Sequence, residues 1–260
     1  MEYEEFCRRL SEKNGMDLED VINRAKLLYI DLYGSGVGGS YGNANIPIEF
    51  ANIMLDNSPA KAGQKELYGT IFPNYVPSIE RLFDGTDMND PANSIKNMYF
   101  YSDATGTGKT TSACALLNQL VFDGWYYANK HGKKLTRNFA YYVDMNELQA
   151  LYNQFNRMAS SSTEMASEAS TEFYRRLNKA KEAKILVIDD IGVRSVTEGL
   201  RGDIHDLINS RVTSRRITIY TSNLEMQKMA MSLDTRLWDR IRHNTFVVEF
   251  KGKSKRKGVN

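Results

Sequence analysis

The chain has 260 residues, 42% of them hydrophobic and 25% charged, with a formal net charge of +2. That length holds one α/β core and a small extra domain, and no apolar run approaches the ~18 residues of a membrane helix. The opening Met1-Glu-Tyr-Glu-Glu5 is acidic with no apolar stretch, so no secretory signal is expected, and the isolated Cys7 and Cys114 support neither a disulfide framework nor a cysteine zinc site. A cytoplasmic protein with no membrane contact is expected.

In chain order, Tyr3–Lys13 reads as a helix with Phe6 and Leu10 on one face. Asp17 is placed to cap a second helix running to about Tyr33, with Leu18, Val21, Ile22, Ala25, Leu28 and Leu32 at helical spacing. Gly34-Ser-Gly-Val-Gly-Gly-Ser-Tyr-Gly42 has the composition of a flexible linker. Residues 46–72 read as a short helix and a loop, and Ser78 as the cap of a helix Ile79–Phe83. From about residue 95 strands and helices alternate. Strands are expected at Met98–Ser102, Phe139–Val143, Ile185–Ile188, Ile217–Thr221 and Phe246–Phe250. Helices are expected at Lys109–Phe122, Glu172–Glu182 and Ile204–Val212, and Asp144 with Glu147 resembles a capping box for a further one. Ser160–Thr171 reads as a mobile loop. The alternation predicts a central parallel five-stranded sheet flanked by helices. No internal repeat is found.

Charge is uneven. Residues 1–60 carry five Lys/Arg against ten Asp/Glu, and residues 194–260 carry fourteen against seven. An acidic front and a basic back suggest two different partners, although ordinary variation in solvated charge gives the same pattern.

The segment Asp103-Ala-Thr-Gly-Thr-Gly-Lys-Thr110 lies between a strand and a helix, the context of a phosphate-binding loop. Glycines turn the backbone so that N–H groups face phosphate oxygens, and the helix N-terminus adds partial positive charge. Ala104, Thr105, Gly106, Thr107 and Gly108 form the cradle. Lys109 reaches the β- and γ-phosphates of ATP, Thr110 offers its hydroxyl to Mg²⁺, and Thr111 contacts a phosphate further back. Asp103 stands where the pattern has its first glycine. It either preserves the turn, through left-handed backbone or an Asx-turn, or repels phosphate. Ile185-Leu-Val-Ile-Asp-Asp190 is a buried strand ending in two carboxylates. Asp189 is read as the Mg²⁺ holder, and Asp190, where glutamate is common, as the residue that orients or deprotonates water. Asn223, after the strand Ile217–Thr221, is read as a second water-positioning group.

These blocks together resemble the DnaC/DnaI family of AAA+ helicase loaders and the related IstB transposition ATPases, over about residues 75–256. The most specific stretches are Leu186-Val-Ile-Asp-Asp-Ile-Gly-Val193, Asn209-Ser-Arg211 and Arg216-Ile-Thr-Ile-Tyr-Thr-Ser-Asn-Leu224. Thr235-Arg-Leu-Trp-Asp-Arg-Ile-Arg242 and Gly252-Lys-Ser-Lys-Arg256 complete the set. The resemblance implies an AAA+ P-loop NTPase, residues 75–260 with a basic tail, that self-associates so that one subunit's arginine completes its neighbour's site. Arg240, then Arg236, is the candidate, and Arg256 is placed to reach the γ-phosphate in cis. It also implies a helical N-terminal domain, residues 1–33, that grips a hexameric replicative DNA helicase, joined by a connecting segment 34–74. Cysteines that bind zinc in some such domains are absent.

A loader meets single-stranded DNA. Arg194, Arg201, Arg211, Arg215, Arg216 and the 251–257 run are candidate contacts, whereas Tyr126, Tyr127, Tyr141 and Tyr142 sit where aromatics pack in cores. The leading reading is an ATP-driven helicase loader, bacterial or phage-encoded, with hydrolysis driving release. A transposition helper and a non-hydrolysing adaptor remain open. A P-loop kinase fits less well, since it needs neither Asn223 nor Arg240.

Overall fold

The computed structural model describes residues 1–34, 39–158, 163–192 and 196–252. Five parallel strands form its centre: β1 (Asn97–Tyr101), β2 (Ala140–Asp144), β3 (Ile185–Asp189), β4 (Ile217–Ser222) and β5 (Thr245–Glu249), in the order β2-β3-β4-β1-β5. Ile185 pairs with Ala140 on one side and Ile217 on the other. β3 and β4 are buried along their whole length, which is why they read as continuous apolar runs and not as alternating ones. β5 is one edge and leaves Phe246 and Val247 partly exposed. At the other edge, Tyr142 of β2 donates its N–H to the Ala44 carbonyl at 2.8 Å, and the Asn45 amide donates to the Tyr142 carbonyl at 3.0 Å. That pairing covers ladder groups an open edge would expose.

The helices are α1 (Tyr3–Asn14), α2 (Leu18–Arg24), α3 (Lys26–Tyr33), α4 (Ser40–Asn43), α5 (Phe72–Tyr75), α6 (Lys109–Lys130), α7 (Met145–Met158), α8 (Thr163–Glu182), α9 (Glu198–Thr213), α10 (Met226–Leu233) and α11 (Thr235–Arg242). Alternate strand residues point to opposite faces. Met98, Phe100, Val187 and Ile219 join a core with α6 and the N-terminal helices. Tyr99, Leu186, Ile188 and Tyr220 join a second core with the helices from α7 onward. The N-terminal helices share the first core directly. Phe6 of α1 packs edge-on against Trp125 and Phe122 of α6, with ring centroids 5.6 and 6.1 Å away. The Trp125 indole N–H donates to Asp31 at 3.0 Å.

Several elements differ from their sequence expectation. Asp17 caps α2 as expected, accepting from the Glu19 N–H at 2.9 Å, but the helix breaks at Ala25, where φ is −86° and ψ is 1°. The break turns Val21, Ala25 and Leu32 inward and leaves Leu18, Ile22 and Leu28 exposed. Residues 46–72, expected as a short helix and a loop, hold two short 3₁₀ turns and, from residue 65, a helical stretch with a π turn at Leu67–Ile71 that runs into α5. Val76–Leu82 is 3₁₀, and the Ser78 hydroxyl donates to the Tyr75 carbonyl, so it caps nothing. Asp144 accepts from the Asn146 N–H at 2.7 Å, but Glu147 turns away to Arg176 at 2.9 Å, and no capping box closes. The stretch expected as a mobile loop, Ser160–Thr171, is helical from Thr163, because its Ala, Glu and Met favour helix and Ala169 buries against the core. Its first residues, 160–162, lie outside the described residues. α6 runs on to Lys130 through Gly124, where a Cβ would sit 2.5 Å from Phe139 ring atoms. The close approach of that ring explains a helix-interior glycine.

Candidate nucleotide-binding site

β1 delivers the chain to a loop in which Gly106 and Gly108 adopt φ of 72° and 98°. A side chain at Gly108 would be strained by that backbone, and its Cβ would stand 3.0 Å from Ala60. Lys109, opening α6, is buried; its Nζ donates to the Ala104 carbonyl at 3.1 Å and to Asn223 Oδ1 at 2.8 Å. The Thr110 hydroxyl lies 3.0 and 3.2 Å from the two Asp189 carboxylate oxygens. Parallel strands bring their C-terminal ends to one side, so residues 79 and 114 positions away reach the same loop.

Asp189 is 4% exposed. It accepts from the Tyr142 hydroxyl at 2.9 Å and from the Thr221 hydroxyl. Burial pushes its carboxyl up to about 6, with Asp190 adding to the rise and the hydroxyls of Thr221, Tyr142 and Thr110 opposing it. Burial and the facing carboxylate hold the Tyr142 phenol well above its ordinary pKa, so it serves as a donor. Asp190 sits at φ 55°, a left-handed conformation that aspartate tolerates better than most residues. Its N–H donates to Thr221 Oγ1 at 2.9 Å, and the Asn146 amide stands 3.5 Å from its carboxylate.

These groups line a cleft of about 730 Å³ that takes in Thr105 to Thr111, Asp189, Asp190 and Asn223. Thr107 Oγ1 is buried at the loop with no hydrogen-bond partner among the described residues. An orphaned hydroxyl, a glycine cradle and a buried carboxylate fed only by neutral hydroxyls fit a polyphosphate with a divalent cation.

Sequence reasoning missed part of this cleft. Tyr142 and Thr221 hold Asp189, and Asp144 and Glu147 line the rim. Pro47, Ile48, Glu49, Phe50, Pro59 and Ala60 form a wall. Asn118 of α6 fixes that wall by donating to the Phe50 and Ile53 carbonyls at 2.8 and 2.9 Å, and Arg9 of α1 grips Asp56 at 2.8 and 2.7 Å. No motif spacing points to the wall. Thr221 was accessible, since it lies two residues before Asn223 on a strand end.

Asp103 falls outside both of its expected roles. It is exposed, does not line the cleft and has no left-handed φ. The turn is closed one residue earlier, where Ser102 Oγ accepts the Ala104 N–H at 3.3 Å. Arg240 is also outside the cleft. It is exposed on α11 and donates to Asn209 of α9. Arg236 is exposed, and Asp239 pairs with Arg242 at 3.1 Å. Arg256 and Arg194 lie outside the described residues.

The DNA candidates separate. Arg211 is wholly buried, donating to Thr218 Oγ1 and to the carbonyls of Ala180, Ala183 and Ile217 at 2.6 to 2.9 Å. Its charge faces the α8 end and β4, not solvent, so it is not placed to touch DNA. Arg201 lines a separate cleft beside Asp190. Tyr141 and Tyr142 are core residues as expected.

The sequence model of a family described as IstB-like ATP binding protein matches residues 94–259. The replicative helicase loader DnaC of Escherichia coli (strain K12) is 25% identical over 144 residues, 55% of this chain and 49% of that protein. The chain thus spans about half the length of that relative. The crystal structure of DnaI superposes with a TM-score of 0.50 at 21% identity, covering 82% of this chain and 95% of the other. The crystal structure of the DnaC helicase loader gives a TM-score of 0.50 at 20% identity, over 79% and 100%. At these identities the two structures share the fold with this chain. No helix among the described residues is long and apolar enough to cross a membrane.

Proposed function

Because the chain belongs to the family of IstB-like ATP binding proteins, we propose that it binds ATP with Mg²⁺, hydrolyses it, and loads a replicative helicase onto single-stranded DNA. The convergence of Lys109, Thr110, Asp189 and Asn223 on one cleft carries the enzymatic part. The loop N–H groups and Lys109 hold the phosphates. Asp189 and Thr110 would hold the Mg²⁺, which would supply neutralisation of phosphate charge when bound. Asp190 takes the proton of the attacking water and Asn223 orients that water. Lys109 exchanges its Asn223 contact for phosphate, freeing the amide for this role. Arg240 reaches a neighbouring subunit's site in trans, supported by its exposure on α11, and Arg256 reaches the γ-phosphate in cis.

The N-terminal helices grip the helicase. In support, Leu18, Leu27, Leu28 and Ile30 are exposed on them and Met16 is exposed in the turn between α1 and α2, with Leu27 79% accessible. Hydrolysis then drives release. A transposition helper is the second reading, favoured by the description of the matching family. Single-turnover hydrolysis with and without single-stranded DNA tests the enzyme, with Lys109→Ala as background; phosphate release no higher than that background rejects it. Co-purification with a replicative helicase, abolished by Leu27→Asp and Leu28→Asp, separates loader from transposition helper.

A further inference from the structure

Two of the DNA candidates, Arg215 and Arg216, fall in an unexpected place. A cleft of about 580 Å³ opens at the N-terminal ends of β3 and β4, across the sheet from the nucleotide site. Lys133, Lys134, Lys184, Arg215 and Arg216 line it, and no Asp or Glu does. A five-residue strand at about 3.3 Å per residue puts it roughly 17 Å from the Asp189 end. These cations come from three separate segments that only the sheet brings together.

Their partners distinguish them from the rest of the surface. Lys130, Arg176 and Lys181 pair with carboxylates. Among the described residues, none of the five cleft cations forms an ion pair. Lys133 donates to the Phe83 carbonyl at 2.5 Å, Arg215 to the carbonyls of Met88 and Asn89, and Arg216 to that of Lys181. Carbonyls, not carboxylates, fix the direction of these side chains. Arg215 is itself held at φ 50°, a left-handed conformation, and both it and Arg216 line the cleft. A groove with one sign of charge and an apolar floor focuses its field outward.

We propose that this cleft is a second ligand site that tracks the phosphate backbone of single-stranded nucleic acid. It deepens the DNA-binding part of the proposed function and rests on that reading. Five cations lining one cleft of about 580 Å³ suit successive phosphates along a strand. The nucleotide cleft at the other end of the strands is free to act at the same time.

The test is the double charge reversal Lys134→Glu with Lys184→Glu, both exposed. Lys65→Glu with Lys228→Glu gives a control of equal charge change on other surfaces. Fluorescence anisotropy of a labelled oligothymidine is read across a salt series with ATP present. The expected result is at least about tenfold weaker binding for the cleft variant, with the log–log salt slope shallower by about 0.7 for each phosphate no longer neutralised. The control variant stays near wild type, and ATP affinity is unchanged in both. A cleft variant with the wild-type affinity and slope overturns the site while leaving DNA binding intact. Wild-type protein that fails to bind the strand overturns the DNA reading itself, and the site with it. Binding of a polyglutamate peptide in preference to the strand overturns the ligand class.

Discussion

The two ends of the sheet each bury charge, and they do so differently. At the N-terminal ends, the guanidinium of Arg211 meets four backbone carbonyls and one hydroxyl, all as acceptors. Burial pushes its pKa down to about 9, so it remains charged at neutral pH. At the C-terminal ends, the Asp189 carboxylate meets only neutral hydroxyls from Thr110, Thr221 and Tyr142. Arg211 is satisfied by its fold. Asp189 is held in place by donors that carry no charge, the arrangement the proposed Mg²⁺ role needs. The difference separates a buried ion that fastens elements together from one proposed to bind a ligand.

The largest expected effect lies at the C-terminal end. Lys109→Ala should lower nucleotide affinity by at least about 100-fold, measured by calorimetric titration, with little change in folding. Retained affinity would place the nucleotide elsewhere. At the other end the pattern reverses. Arg211→Met leaves the carbonyls of Ala180, Ala183 and Ile217 without their donor in a dry interior. A loss of about 3–5 kcal/mol in chemical denaturation is expected, with nucleotide affinity unchanged in the folded fraction. A stability loss under about 1 kcal/mol would show that the clamp is incidental.

The same contrast explains what the sequence made legible. The phosphate loop and Asp189 are readable because their chemistry is packed into contiguous stretches flanked by a strand or helix. The parallel sheet is readable because β3 and β4 are apolar throughout. Arg211 was misread because an arginine on a helix looks solvated until α8 and β4 close over it. The cleft wall at Pro47–Ala60 was invisible because its place depends on Asn118 and Arg9, distant residues with no spacing signature. The basic cleft was half seen, through Arg215 and Arg216, since Lys133, Lys134 and Lys184 join them only across the sheet edge.

Asp189→Asn sharpens the comparison through pH. The folded carboxyl titrates near 6, above its ordinary 3.8, so the folded state binds a proton more readily than the unfolded one. Ionisation at neutral pH therefore costs stability, and that cost disappears as pH falls through about 6 towards 4. Without nucleotide, Asp189→Asn should be more stable than wild type by about 1–3 kcal/mol at pH 7. The gap should close below about pH 4, while Mg²⁺-dependent hydrolysis is lost. A gap that persists at low pH would trace the gain to packing and not to the charge.

Tyr142→Phe carries the smallest effect and the finest discrimination. It removes one hydroxyl donor from Asp189 and keeps the ring in the core. A purely structural tyrosine would lose about 1 kcal/mol of stability, with the Mg²⁺ requirement unaltered. A tyrosine that positions Asp189 should also raise the Mg²⁺ concentration needed for half-maximal nucleotide binding, by a few-fold, because the freed carboxylate oxygen can rotate off its coordinating direction. The phosphate loop itself is unchanged, so affinity for ATP without metal should stay at the wild-type level. An unchanged metal requirement would make Thr110 and Thr221 sufficient to hold the carboxylate, and would confine Tyr142 to closing the edge of the sheet.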